Sequence, residues 1–357
     1  MLPGVNGNPD LIQGIRSDID RSGGRITFER FMDLALYHPQ HGYYTSGSER
    51  IGKSGDYFTS VSVGPLFGKV LARQFLKWRE ELGHPAGFEV IEFGGHGGQL
   101  REDVLAAAPD LNYRIVEAGD PIPDSITGVV FSNEFLDALP VHLVKVERGE
   151  WKEVDVTAAP FVGQAPRLPL LPPEQRQAER LPYNFTETLG PLSTPRLADF
   201  LAGLPVHLME GYTTEVNLRA LDWMEATAHR LKHGFVLTID YGYEREDYFA
   251  PQHRKGTLVC YHRHAENDNP YQHVGEQDIT AHVEFTSLIE RGRKSGLEPV
   301  LFTDQTHFLL QIGEADIAEI VERTAGQPSK ERQAIHQLLH PELMGRVFKV
   351  LVQRKRI

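Results

Sequence analysis

The stretch Glu92-Phe93-Gly94-Gly95-His96-Gly97-Gly98 joins a predicted strand, Phe88 to Phe93, to a predicted helix, Leu100 to Ala108. Glycines in such a turn permit positive φ and let backbone N–H groups approach a ligand at the helix N-terminus. A short strand, Tyr113 to Val116, comes next and ends on Glu117, about twenty residues on, where folds of this kind hold ribose hydroxyls. A purely structural tight turn and a solvated strand-end glutamate would be spelled the same way. A second stretch, Phe131-Ser132-Asn133-Glu134-Phe135-Leu136-Asp137-Ala138-Leu139-Pro140, follows another predicted buried strand, Val129 to Phe131. Asn133 and Glu134 fall at the strand's end with Asp137 one helical turn from Glu134, which makes an acidic, amide-bearing lip. An N-cap with solvated first-turn acids fits the string equally well.

Ile239-Asp240-Tyr241-Gly242-Tyr243 forms a third candidate, with Tyr261-His262-Arg263-His264 and Gly275-Glu276-Gln277-Asp278-Ile279-Thr280 after it. His262 and His264 have no carboxylate or cysteine pair at ligand spacing, so no metal site is expected. No Gly-x-Ser-x-Gly elbow occurs, which disfavours a serine hydrolase.

These stretches need rigid elements to position them. Leu11, Ile12, Ile15 and Ile19 make a helical stripe that stops at Gly23-Gly24, and Thr27 caps a second helix carrying Phe28, Phe31, Met32, Ala35 and Leu36. Gly42 to Ser62 reads as a long functional loop, before a helix with Phe67, Val70, Leu71, Phe75, Trp78 and Leu82 on one face. Strands alternating with helices from Phe88 imply a parallel sheet whose ligand site lies outside the carboxyl ends of the strands. Thr157 to Pro205 is proline-rich and weakly periodic, an insertion packed over the core rather than another strand-helix unit. A helix with Val216, Leu221 and Leu231 then leads to strand Phe235 to Ile239, and His307 to Gln311 with Val347 to Val352 look like a closing strand pair. The expected organisation is a helical N-terminal region with a covering loop (1–85), the first half of an α/β core (86–156), the insertion (157–205) and the second half of the core (206–357).

With 357 residues, 40% of them hydrophobic, the chain can bury a large core, while a net charge of −12 argues against gripping nucleic acid backbone and suits a cationic substrate. The one cysteine, Cys260, excludes an internal disulfide framework. No targeting pattern or membrane-spanning run is evident, so a cytoplasmic protein is expected.

Taken together, Ile26-Thr27-Phe28, Ala35-Leu36-Tyr37-His38-Pro39, Gly42-Tyr43-Tyr44, Gly55-Asp56-Tyr57-Phe58-Thr59-Ser60, Ser132 to Pro140, Gly275 to Val283 and Met344-Gly345 resemble the MidA-like family of methyltransferases along nearly the whole chain. The resemblance implies a Rossmann-like class I sheet of seven strands, S-adenosyl-L-methionine as methyl donor, and a protein acceptor. In the mitochondrial member that acceptor is an arginine in a partner protein, and the member serves respiratory complex I assembly. By the same resemblance Thr59 and Ser60 lie near the cofactor, Glu92, Gly94 and Gly98 in its amino-acid-binding turn, and Glu117 near its ribose.

Two departures stand out. His96 occupies a family glycine position, which would cost roughly 1–2 kcal/mol if that position is left-handed. Only Ala118 to Gly128 separates Glu117 from the lip's strand, too short for the strand-helix unit expected there. Eleven residues span about 36 Å when extended, so a bare crossover is possible. The reading that results is methyl transfer to arginine, with Asn133, Glu134 and Asp137 as catalytic candidates and Asp240, His264, Asp278 and His282 on the substrate side. The alternative is a methyltransferase-fold scaffold that docks partners without catalysis.

Overall fold

The computed structural model describes residues 7–46, 60–117, 120–160, 183–204 and 209–356; Thr59, most of the loop before Ser62 and the centre of the 157–205 stretch lie outside them. In chain order, α1 (Pro9–Arg21) starts where the Asn8 side chain accepts the N–H groups of Asp10 and Leu11. Thr27, at the end of β1 (Ile26–Thr27), caps α2 (Phe28–Tyr37) by accepting from Arg30 N–H. α3 (Leu66–Glu81), β2 (Glu89–Phe93), α4 (Gln99–Ala107) and β3 (Asn112–Val116) follow, and then β4 (Ile126–Asn133). Next come β5 (His142–Glu147), β6 (Glu150–Pro160), β7 (Tyr183–Gly190), α5 (Pro195–Ala202) and β8 (Thr213–Val216). After α6 (Leu218–Arg230), β9 (Leu231–Tyr243) and the short α7 (Arg245–Tyr248) lie β10 (Val259–His262), β11 (Ala265–Asn267), β12 (Asp278–Thr280) and β13 (Val283–Glu284). α8 (Phe285–Lys294), β14 (Glu298–Asp304), α9 (Gln305–Arg323), α10 (Lys330–Leu339) and β15 (Phe348–Lys355) complete the chain.

The chain divides into two compact units, each assembled from three segments. The first comprises Met1–Gly47, Pro140–Val216 and Val259–Ile279. Its main sheet has the order β1-β6-β5-β8, all antiparallel, with β7 also paired to β6. The stretch read from sequence as a weakly periodic insertion therefore supplies β6's last residues, β7 and α5. β7 is hard to see in the sequence because Thr186, Glu187 and Thr188 stand in a row between Phe185 and Leu189 and break the apolar-polar alternation.

The second unit comprises Ser48–Leu139, Asn217–Leu258 and Thr280–Ile357. Its sheet runs β14-β15-β9-β4-β2-β3, with the two-residue β13 beside β9. β3, β2, β4 and β9 are mutually parallel, whereas β15 and β14 run antiparallel. Val129, Phe131 and Leu237 face Phe67, Phe75 and Trp78 of α3 on one side; Ile91, Val130 and Val236 face Trp223, Met224 and Phe285 on the other. Central parallel strands must be apolar on both faces, and these are. Glycine allows the helices close approach: a Cβ on Gly313 of α9 would meet the Val70 side chain of α3 at 2.9 Å.

Among the described residues no helix or strand lies between β3 and β4, as the short 118–128 segment predicts, so the sheet has six long strands plus β13. The closing antiparallel pair is β14 with β15. His307 to Gln311 belong instead to α9, where Asp304 accepts His307 N–H as N-cap and Phe308, Leu309, Gly313 and Ile320 form the buried stripe. A five-residue apolar run cannot by itself distinguish the two elements. No helix among the described residues is long and apolar enough to cross a membrane.

At the start of the parallel strands, Gly128 and Gly234 are partners in register, with φ 137° and 146°. A Cβ on Gly128 would collide with the Glu89 carbonyl, and one on Gly234 with that of Gly128. Gly128→Ala should cost about 3 kcal/mol, strain and collision together, whereas Gly149→Ala, at positive φ in open space, should cost about 1 kcal/mol; urea denaturation midpoints check the difference.

Candidate functional site

β2, β4 and β9 end side by side, with Phe93 opposite Ser132 and Ser132 opposite Thr238. In the turn after β2 the left-handed positions are Gly94, Gly97 and Gly98, at φ 70°, 79° and 74°. His96 keeps a negative φ, so the neighbouring glycines carry the left-handed geometry and the substitution brings no strain. A Cβ at Gly97 would meet nothing within 4 Å, which leaves the turn's outer side open. Its inner side rests on Glu92: the Tyr113 hydroxyl donates to Glu92 Oε2 at 2.9 Å, and a Cβ on Gly95 would come within 2.7 Å of the same oxygen. Burial pushes the Glu92 carboxyl up to about 7, against the lowering effect of the Tyr113 bond, with Glu117 adding to the rise. Glu117 itself is raised by desolvation and drawn back down by the charge and backbone N–H of His96, so the turn and the end of β3 face each other.

Beyond β4, Glu134 takes φ 52° and donates its N–H to the Ile239 carbonyl at 3.0 Å. Its Oε1 accepts from Ser60 N–H at 3.0 Å and from Asn133 Nδ2 at 2.9 Å. Ser60 is fully buried, and its hydroxyl donates to Gln305 Oε1 at 3.2 Å. Gln305 Nε2 in turn donates to the Leu338 carbonyl at 3.1 Å. The course of the lip is set by Asp240, which is 0% exposed. Its Oδ2 accepts the N–H groups of Leu136, Phe135 and Asp137 at 2.8, 3.2 and 3.4 Å, and its Oδ1 that of Tyr241 at 2.9 Å. Burial raises this carboxyl to about 7 while the backbone donors pull it down. On the lip's far side Asn217 Nδ2 donates to the Leu136 carbonyl and Ala281 N–H to that of Asp137, both at 2.9 Å. Turn and lip touch, since a Cβ on Gly94 would lie 2.8 Å from Phe135 Cδ2.

Ser60, Glu92, Gly94, Gly98, Glu117, Asn133, Glu134, Asp137, Asp240 and His282 all belong to the second unit, and Thr59 lies outside the described residues. Asp240 is committed to holding backbone rather than presented outward. His264 and Asp278 belong to the first unit. His264 sits exposed at φ 63° in the turn between β10 and β11, and buried Asp278 accepts the Tyr44 hydroxyl at 2.7 Å. Gln305 and Tyr113 were not singled out from sequence, because neither stands in a motif and their contacts join segments remote in the chain. Among the described residues no group of three His, Cys, Asp or Glu is placed to hold a metal ion.

A model of the S-adenosyl-L-methionine-dependent methyltransferases matches residues 109–303. Protein arginine methyltransferase NDUFAF7, mitochondrial, of Rattus norvegicus is 25% identical over 386 residues, covering 92% of this chain and 80% of its own. The Drosophila melanogaster homolog is 24% identical over 405 residues, covering 97% of this chain and 85% of its own. A Burkholderia thailandensis protein crystallised with S-adenosyl-homocysteine superposes with a TM-score of 0.83 at 29% identity, covering 98% of this chain and 94% of that one.

Asp240→Ala should destabilise the protein by about 3–5 kcal/mol, because it orphans buried N–H groups, and Asp240→Asn, which keeps one acceptor oxygen, by less. The folded carboxyl, at about 7, holds its proton more tightly than the unfolded one, so its contribution is full in acid and lost as pH rises. Urea titrations from about pH 4 to 7 should therefore show wild type losing stability relative to Asp240→Asn.

Proposed function

The chain belongs to this family of S-adenosyl-L-methionine-dependent methyltransferases, and from that premise we propose that its methyl acceptor is an arginine side chain of a partner protein. When bound, the cofactor supplies an electrophilic methyl group on a sulfonium centre. The residues at the carboxyl end of β2 fit such a group. The N–H groups of Gly94 and Gly98 are taken by the Val116 and Gly95 carbonyls, which shapes the turn, while its side at Gly97 stays open at the start of α4, where a donor carboxylate is favoured by the helix dipole. Glu117 closes β3 in the place suited to ribose hydroxyls. Ser60 and the neighbouring Thr59 are assigned to the donor side, and Glu92 supports the turn from beneath.

The observation that carries the acceptor assignment is Glu134, a non-glycine residue held at φ 52° with its carboxylate fixed by Ser60 N–H and Asn133 Nδ2. Left-handed geometry costs such a residue about 1 kcal/mol, a strain typical of functional positions. An arginine guanidinium stays protonated at neutral pH, and a fixed carboxylate can both orient it and offset its charge through charge-assisted hydrogen bonds. Asn133 holds that carboxylate, and Asp137 secures the lip through its N–H and carbonyl. Most of the rate gain then comes from fixing two reactants in line. The overall charge of −12 favours a cationic segment as partner. The arginine-directed relatives support the same acceptor, and a respiratory-complex subunit is the partner the MidA-like resemblance favours. We place the reaction in the cytoplasm, a reducing compartment that suits the lone buried thiol of Cys260.

Calorimetric titration should give donor binding of similar affinity for wild type and Glu134→Gln, while methyl incorporation into arginine, read by mass spectrometry of partner peptides, falls about 100-fold in the variant. Absence of donor binding to wild type at millimolar concentration would leave only a docking scaffold. Methyl incorporation confined to residues other than arginine would overturn the acceptor assignment.

A further inference from the structure

The last residues of β9 carry aromatic rings that neither the donor turn nor the lip uses. Tyr241 and Tyr243 lie two apart and so share one face of the strand. It is the face of Ile239, whose carbonyl accepts Glu134 N–H, and Ile239 is the register partner of Asn133. His282 directly precedes Val283, which pairs with Gly242 in parallel register, and this brings its imidazole beside Tyr241. The two rings are nearly parallel, 6.0 Å apart at 15°, and Tyr243 meets His282 edge-on at 5.2 Å. Tyr241 is backed by Phe348 at 4.0 Å, and Tyr243 by His253 at 4.7 Å.

Two hydrogen bonds fix His282 next to the lip: its N–H donates to Thr257 Oγ1 at 3.0 Å, and that of Ala281 to the Asp137 carbonyl at 2.9 Å. Burial, with the nearby His253, lowers the His282 imidazole to about 4, so it is neutral at physiological pH and does not repel a cation. Its Nδ1 is buried without a hydrogen-bond partner. Both tyrosines are half-buried. Arg245, two residues beyond Tyr243, is tied elsewhere: Glu290 takes its guanidinium at both oxygens, at 3.0 and 2.8 Å.

We propose that Tyr241, Tyr243 and His282 form an aromatic cation subsite beside the Glu134 lip, against which the planar guanidinium of the acceptor lies. This rests on the arginine reading above and adds the element that selects a flat, delocalised cation. A guanidinium is more weakly hydrated than an ammonium and stacks on ring faces, so the wall favours arginine over lysine. It also accommodates the methylated product, which keeps its charge while losing an N–H.

The test uses the full chain and methylguanidinium as probe, observed by saturation-transfer NMR, together with KM for an arginine peptide. Tyr243→Leu should weaken probe binding and raise KM roughly ten-fold, with donor affinity unchanged, whereas Tyr243→Phe, which keeps the ring, should behave as wild type. Equal behaviour of the Leu and Phe variants, or no probe signal from wild type at millimolar concentration, overturns the subsite even if arginine is methylated. A probe signal that the Leu variant loses, combined with methylation of an acceptor other than arginine, sinks the arginine reading and keeps the cation subsite.

Discussion

One buried carboxylate decides where the chain goes after β4. Removing Asp240 from water costs several kcal/mol, and only a full set of donors at short range offsets that. Three of them are consecutive backbone N–H groups of the lip, Phe135 to Asp137, and the fourth is Tyr241 N–H on Asp240's own strand. The bonds tie the end of β9 to the segment leaving β4 and leave Glu134 to absorb the bend at φ 52°. Ser60 and Asn133 then fix a carboxylate whose backbone has already been placed. An apolar residue at 240 could pack in the same volume, but it would leave the lip's donors unmet and free its course.

The sheet tolerates the loss of a strand-helix unit because β3 and β4 both pair with β2, and the segment joining them needs only the length to pass that one strand. The consequence is that β3 becomes an edge. Its burial alternates, with Asn112 and Arg114 exposed while Tyr113 and Val116 are buried, and Arg114 reaches Glu89 at 3.4 Å. A charged, alternating edge of this kind resists pairing with another chain. Tyr113, pointing inward from that edge, is the residue that supports Glu92 under the glycine turn. The shortened side of the sheet thus still holds the turn from below.

Much of the second unit was legible because periodicity and punctuation agree there. Phe67, Val70, Leu71, Phe75 and Trp78 specify α3 by spacing alone, and the glycine turn stands between an apolar strand and a helix as an α/β sheet requires. The glycine-rich turn and the lip are neighbours because both follow parallel strands that end together. His307 to Gln311 was misread because its apolar run is short and the cap that decides the matter, Asp304, lies outside it. The first unit's antiparallel sheet was missed because its strands come from separated segments whose partners no local pattern reveals. Asp240 could be named as a candidate from its place after a strand. Its task could not, because that depends on which N–H groups its oxygens meet. The bond between Ser60 and Gln305 spans 245 positions and carries no sequence signal.

Gly94 gives the site a mechanical property that neither stretch has alone. Its left-handed backbone shapes the glycine turn, and its missing side chain lets the Phe135 ring close over it. Phe135 continues into Phe93 at 5.8 Å and Trp223 at 5.9 Å, so the lip leans on the core rather than on solvent. A side chain at 94 would strain the turn and push Phe135 together with the segment that Asp240 holds. Closely packed interiors transmit such displacements instead of absorbing them. The geometry of the turn and that of the lip are therefore one constraint, and under the proposed reaction a fixed distance between the two is what an in-line transfer needs.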